Sequence, residues 1–310
     1  MKHTNTIAVA EAMLAITLWA MSFILIKIAL RELSAVALIT LRFAVASVVV
    51  VPVVWATGGL SGLSIRDVPR MAALGAVGVT LHQLLQVAGQ QTTSAGMAAL
   101  CAATATAFMV ILAAVFLGER LGLWQIGGVC LALAGAAIVT VGDVGRPAAG
   151  GHHPAAMGNM LVLLSAVVWA ATGIMGKRMM RKRPSVVVTA GMLVFGFLFT
   201  LPFFVVEGSW AQITRLSPTG WGLVIALGVL CTAVAHLANN HALKTIAAQR
   251  VAVIQNLEPL LAVLGAWLIL GECMSWLSAL GGVAIVAGVF VTERHAAADP
   301  PRVSRVSRHG

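Results

Sequence analysis

The sequence predicts an all-α polytopic membrane protein, with ten transmembrane helices arranged as two inverted five-helix repeats around a central cavity. Three observations carry this. The 310-residue chain is 60% hydrophobic and only 10% charged, whereas soluble domains carry about 25% charged residues. Its apolar runs reach the roughly 20 residues that a helix needs to cross the hydrocarbon. Finally, the second half of the chain repeats the first. The runs are uniformly apolar, without the period-two alternation of a barrel strand, so the backbone must be satisfied within helices.

Ten spans follow in order, near 7–30, 34–56, 69–90, 94–117, 122–142, 157–179, 185–206, 219–242, 247–270 and 274–293. The first is full-length and lacks a small-x-small cleavage site after a basic start, so no removable signal peptide is expected. The second, fifth, seventh, eighth and tenth each carry a Trp near an end (Trp55, Trp124, Trp210, Trp221 and Trp276), as an interfacial aromatic belt requires. The third carries a polar stripe, and the fourth, fifth and tenth are rich in Gly and Ala. In the fifth, Gly128, Ala132 and Ala136 form a small-xxx-small ladder suited to close helix contact. The ninth contains Pro259.

Orientation follows from the basic residues. With a cytoplasmic N-terminus, fifteen Lys and Arg fall in inside segments and four (Lys27, Arg31, Arg146 and Arg215) in outside ones, with Arg42 within a span. That is a positive-inside distribution. It places both termini in the cytoplasm and the chain in the cell's inner membrane. The net charge of +10 lies in short loops and a tail, which points to anionic lipid headgroups and away from nucleic acid. The four Cys (Cys101, Cys130, Cys231 and Cys273) form no CxxC pair and read as packing residues.

Trp19 to Lys27 repeats as Trp169 to Lys177 at an offset of 150, and Pro52 repeats as Pro202. "LGERL" at 117–121 returns as "LGECM" at 270–274, and Gly127-Gly128 has a counterpart in Gly281-Gly282. The expected organisation is a first repeat over 1–143, a polar linker over 144–156, a second repeat over 157–293 and a basic cytoplasmic tail over 294–310. Because each repeat holds an odd number of spans, the second enters the membrane inverted. Inverted repeats in transporters place a site near the midplane that opens alternately to each side. A merely structural pseudo-dimer is the alternative.

"LWAMSFILIK", "VWAATGIMGK", "LGERLGLWQIGGVCLALAGAAIV" and "NLEPLLAVLGAWLILGECMSWLSALGGVAIVAGV" resemble the EamA family of the drug/metabolite transporter superfamily, over nearly the whole chain. The resemblance implies a ten-helix secondary transporter, commonly an exporter of amino acids or other metabolites. Among characterised types it is similar to the YddG-type exporters of aromatic amino acids. Two departures stand out. Thr106 occupies the first-half position of Pro259, so the fourth helix is expected to be straighter than the ninth. Small multidrug relatives carry a proton-coupling Glu eight residues before the first-helix Lys, where this chain has Trp19.

In the third span His82, Gln86 and Gln90 share one helix face. At an offset of 153, the eighth span offers His236 opposite Gln83 and Asn239 opposite Gln86, with Asn240 adjacent. Two such stripes suggest a shared substrate-binding wall whose amides orient a zwitterion. Interhelical hydrogen bonding, worth about 0.6 kcal/mol per pair, is the alternative. His82 is also a possible proton carrier. Glu258, with Gln255, Asn256 and the carbonyl freed by Pro259, can hold an ammonium group or a proton. Trp19 and Trp169 lie deep in their spans, where they either face cargo or pack. Lys27 and Lys177 sit just inside span ends, as gate or cavity-mouth charges or as residues snorkelling to the headgroups; Glu11 reads the same way. Met97, Met109, Met175 and Met192 offer an adaptable wall.

There is no Walker A sequence, HExxH or paired Asp cluster, so no cofactor, metal or direct ATP use is expected. "GLSG" at 59–62 matches the GxSG of intramembrane proteases but sits in a polar loop, which argues against an enzyme. A channel would need identical subunits or a filter loop. The expected partners are membrane lipids and a small-molecule cargo, an amino acid with an aromatic or other hydrophobic side chain. Drugs or other metabolites are the alternative cargo, and the sequence leaves monomer against dimer open.

Overall fold

The structure, a computed structural model, describes residues 2–58, 63–118, 121–142 and 155–296. The GLSG sequence, Glu119, Arg120, nearly all of the linker and most of the basic tail lie outside the described residues.

Ten helices are long and apolar enough to cross a membrane: α1 (Asn5–Ala29), α2 (Ala35–Ala56), α3 (Val68–Thr92), α4 (Ala95–Phe116), α5 (Leu123–Gly142), α6 (Ala155–Lys177), α7 (Ser185–Glu207), α8 (Pro218–Thr245), α9 (Arg250–Leu270) and α10 (Trp276–Arg294). Serine hydroxyls start several of them. Ser34, Ser94 and Ser217 accept from Ala37, Met97 and Gly220 N–H at 3.1, 3.1 and 2.9 Å, satisfying N–H groups that a helix start leaves unpaired. The glycine of each LGE sequence ends its helix. Gly118 closes the fourth at φ 68° and Gly271 the ninth at φ 67°, a left-handed backbone that favours glycine.

The repeats interlock rather than sit side by side. The second half of α3 packs on α6, and the second half of α8 packs on α1. The second half of α4 lies on α6, and that of α9 on α1, while α2 crosses α7 and α5 runs along α10. Each contact therefore joins the halves, and each has its inverted counterpart. One apolar core is built mainly from α2, α3, α7 and α8, and a second from α1, α4, α5, α9 and α10.

Two kinds of irregularity recur in both repeats. Between regular segments, α3 widens into a π-helical stretch at Ala76–Leu81 and α8 into one at Ala226–Val234. The ninth span breaks at Asn256, between helical segments Ala248–Gln255 and Glu258–Leu270. The fourth, expected to be the straighter, breaks too, between Ala95–Ala103 and Ala105–Leu117. Thr104 accounts for this without proline. Its N–H bonds the Cys101 carbonyl at 3.2 Å, and its hydroxyl donates to the same carbonyl at 2.6 Å. The local turn is thereby drawn tight and its polar groups satisfied inside the protein.

The α5–α10 contact depends on absent side chains. A Cβ on Gly288 would lie 2.5 Å from the Gly128 carbonyl oxygen, and one on Gly135 would lie 2.6 Å from that of Gly281. A Cβ on Gly127 of the same helix would meet nothing within 4 Å. Gly288→Ala is therefore expected to lower stability by about 1–3 kcal/mol through overpacking. Gly127→Ala should be neutral or stabilising by up to about 1 kcal/mol. Thermal melting of the two variants in the same detergent checks the contrast, and equal melting temperatures would show that the helices do not touch here.

Candidate functional site

Between the repeats lies a cavity of about 370 Å³. His82, Gln86, Trp19, Trp169, Asn239, Asn240, Gln255 and Glu258 all line it. It reaches further than helices one, three, four, six, eight and nine: Arg42 and Phe43 of α2, Met192 of α7 and Glu293 of α10 line it too. Of the four methionines offered as an adaptable wall, only Met192 does so; Met97 is buried elsewhere, and Met109 and Met175 are exposed.

Two ring pairs cross the repeats. The Trp169 indole of α6 lies over His82 of α3, centroids 4.9 Å apart at 33°. Trp19 of α1 meets His236 of α8 edge-on at 5.3 Å and 72°. His82 Nδ1 is 3.0 Å from the Ser165 carbonyl oxygen and His236 Nδ1 is 2.8 Å from that of Thr232. Because a carbonyl only accepts, each Nδ1 carries the hydrogen and a neutral ring keeps Nε2 as an acceptor. The pairs make His82 and His236 equivalent at an offset of 154, one more than the polar stripes suggest.

Several other polar groups of the lining are tied in specific ways. Arg42 Nε donates to Thr232 Oγ1 at 2.7 Å. Gln255 Nε2 donates to Asn239 Oδ1 at 3.2 Å, Asn240 Nδ2 to Thr189 Oγ1 at 3.0 Å, and Asn256 Nδ2 to Glu293 Oε2 at 2.6 Å. Gln90, the third member of the α3 stripe, faces away from the cavity. It is fully buried, and its side-chain amide has no hydrogen-bond partner.

The two ends of the cavity differ. At the end bearing Lys27, the lining stops at Phe23, Gln86, Ala99 and Ala166, and polar contacts stitch the repeats together beyond it. Lys27 does not reach outward: its Nζ donates to the Gln90 and Thr93 carbonyls, at 2.7 and 2.6 Å, where the end of α3 presents unpaired acceptors. Thr93 Oγ1 donates to Asn159 Oδ1 at 2.5 Å. The Glu272 carboxylate accepts from Ala95 and Gly96 N–H at 3.1 and 3.3 Å, so the glutamate of the second LGE sequence caps α4. Glu32 accepts from Ser217 N and Oγ at 3.0 and 2.8 Å, and Ser34 bonds both Gln212 and Glu207.

Toward the other end the lining continues to Gly176, Met180, Leu243 and Glu293, and Lys177 is exposed there. Among the described residues, two side-chain contacts between the repeats mark this end. Glu11, instead of snorkelling, meets His241 at 2.6 Å. Arg183 meets Asp67 at 2.7 Å. The Ser64 backbone N–H, and then the Arg183 guanidinium, hold the Asp67 carboxyl below the usual carboxylate range.

Arg42 is the functional candidate that sequence reasoning passed over. It entered only as a charge to be placed for orientation, although a basic residue inside a span is a site candidate in its own right. Thr232 and Glu293 carried no comparable signal.

This architecture has relatives. A "Probable terminal-alkyne amino-acid exporter" of Streptantibioticus cattleyicolor is 30% identical over 290 residues, covering 93% of each chain. A "Probable amino-acid metabolite efflux pump" of Escherichia coli strain K12 is 28% identical over 291 residues, covering 90% of this chain and 92% of its own. A solved crystal structure at 20% identity superposes with a TM-score of 0.63 over 94% of this chain and 98% of its own, which shows the shared fold. The model of the EamA-like transporter family matches residues 6–141 and again 156–294. With one match on each five-helix repeat, the chain belongs to the EamA-like transporter family.

Proposed function

We propose that this transporter is a secondary carrier that moves small metabolites, namely amino acids with aromatic or other hydrophobic side chains, out of the cell by alternating access. The observation that carries the reading is the polarised cavity: it is lined by both repeats, stitched shut beyond the Lys27 end and continued to the Lys177 end. With the orientation expected from the basic residues, both termini are cytoplasmic, the Lys177 end faces the cytoplasm, and the conformation is the loading state of an exporter in the inner membrane. The repeats, 1–143 and 157–293, are the two moving bodies; the segment 144–156 joins them and 294–310 forms the tail. A monomer is sufficient, since the cavity is complete within one chain.

Each lining residue has a part in this scheme. Trp19 and Trp169 present indole faces to the cargo's side chain. His82, Gln86, Asn239, Asn240 and Gln255 orient its polar groups, and Glu258 receives its ammonium. Lys27 braces the α3–α4 connection within its own repeat, where Thr93 and Ala95 meet the other repeat at the closed end, and Lys177 holds the equivalent place in the other repeat. The names of the two amino-acid exporters among the relatives agree with the cargo class. The chemistry is carriage rather than catalysis.

Purified protein in liposomes tests the reading. Saturable, solute-specific counterflow is expected, and ohmic conductance would mean a channel. His82→Ala and Gln86→Ala should each lower apparent affinity roughly tenfold, the loss of about one hydrogen bond, with insertion intact. Unchanged kinetics in both would make the stripe mere packing. Lys27→Met should raise thiol-reagent labelling of a cysteine placed at Ala99, from the side that bears Lys27. Unchanged labelling there would remove Lys27 from the gate.

A further inference from the structure

Arg42 is buried two turns inside α2, 5% exposed, on the cavity wall. Its position is built from three sides. The hydroxyl of Thr232 takes the Nε hydrogen and passes its own to the Leu227 carbonyl at 2.8 Å, within the π-helical stretch of α8. Gly228 of the same stretch lets α2 come close: a Cβ there would lie 2.8 Å from the Arg42 carbonyl oxygen. The guanidinium carbon stands 5.6 Å from the centre of the Phe43 ring, a cation–π contact.

No carboxylate among the described residues completes the arrangement. Among the described residues neither Nη of Arg42 meets an acceptor, yet neither is sealed away from the cavity. An arginine remains charged in a protein, and a lone buried charge is costly unless it is paired. With Nε taken by Thr232, the two Nη groups of this cavity-lining residue keep four N–H donors, and the two on the edge between them form the planar fork that matches a carboxylate in two parallel bonds. Glu258 lines the same cavity and has no hydrogen-bond or ion-pair partner among the described residues.

We propose that Arg42, tethered by Thr232, is the anchor for the cargo's carboxylate, and that the carrier selects free acids over the corresponding amides and amines. Glu258 then faces the other pole of a zwitterion. The inference deepens the amino-acid reading and rests on it for the role of Glu258, but not for that of Arg42.

Thermal stabilisation of the detergent-solubilised full chain is the test, with leucine, phenylalanine, leucinamide, phenylalaninamide, 4-methylpentanoate and 3-phenylpropanoate as probes. The wild-type protein should bind at least one free acid ten- to a hundredfold more tightly than its amide. Arg42→Gln should erase that ratio, and Arg42→Lys should restore part of it. Thr232→Val, which leaves the charge but removes its tether, should reduce the ratio and serves where Arg42→Gln does not fold. A panel in which no free acid stabilises the wild type overturns the anchor. So does equal binding of acid and amide, which leaves the amino-acid reading standing, or an Arg42→Gln variant with the wild-type ratio. Tight binding of 4-methylpentanoate with none of leucine, lost in Arg42→Gln, retains the anchor and retires the amino-acid reading.

Discussion

Within hydrocarbon every backbone polar group has to find its partner inside the protein, and the placement of every irregularity in this structure follows from that. The π-helical stretches of α3 and α8 and the breaks of α4 and α9 would each be intolerable against lipid. All four lie where side chains can complete the bonding and where the cavity is formed. Thr104 closes the break of α4 onto the Cys101 carbonyl. His236 and Thr232 occupy carbonyls in and around the second π-helical stretch. His82 bonds the Ser165 carbonyl of the opposing repeat. The same groups that permit non-helical backbone at membrane depth are those that give the cavity its polar chemistry, so the site and the defects are one feature.

A repeated sequence with two opposite orientations yields two ends of related chemistry, and the structure treats them differently. At one end, Lys27 sits on the last carbonyls of α3 and Glu272 on the first N–H groups of α4. The two charges thus bracket the short connection between these helices and complement the dipole at each terminus. Lys177 occupies the equivalent position in the other repeat and is exposed. The closed end also has a cost: the side-chain amide of Gln90 is wholly buried there with neither its oxygen nor its nitrogen bonded. A closed end whose connection is braced by two short charge-assisted bonds while an amide is stranded beside them is strong without being permanent. The proposed rocking between two states of comparable energy needs that balance.

The ten helices were legible because length and apolarity are all that the hydrocarbon asks of a span, and every observed span lies within three residues of its expected bounds. The repeat was legible because its landmarks, a Trp–Lys pair and an LGE sequence, do local work that tolerates little change. Gly118 and Gly271 reverse the chain, and Glu272 caps α4. What could not be read was whatever depends on register across a π-helical stretch. The stretch spans six residues in α3 and nine in α8, so counting by a fixed offset paired His236 with Gln83 when its true counterpart, judged by the indole it meets, is His82. The break at Thr104 was missed for a related reason. Proline is the visible breaker in a sequence, whereas a threonine bonding back to a carbonyl leaves no mark in composition. Lys27 looked like a snorkelling residue because sequence position does not disclose that the end of α3 lies within its reach.

The charges in the cavity bear on how occupancy relates to movement. Among the described residues, the empty cavity holds a permanent cation at Arg42, without an anionic partner, and a carboxyl group at Glu258, without a hydrogen-bond donor, beside the Glu293 carboxyl that Asn256 already bonds. While the cavity communicates with water, solvent screens both. On the alternating-access reading proposed above, passage between two open states requires that the cavity be sealed from both sides, and sealing strips that solvent away. Desolvating a lone ion costs several kcal/mol even after relaxation, so the empty protein resists occlusion. A zwitterion whose carboxylate meets the guanidinium and whose ammonium meets the carboxylate cancels both charges in one step. Its apolar side chain meanwhile displaces water from Trp19 and Trp169. On this reading the buried arginine does more than recognise. It makes the occluded state accessible chiefly when the cavity is filled by something of complementary charge, and that is what distinguishes a carrier from a leak.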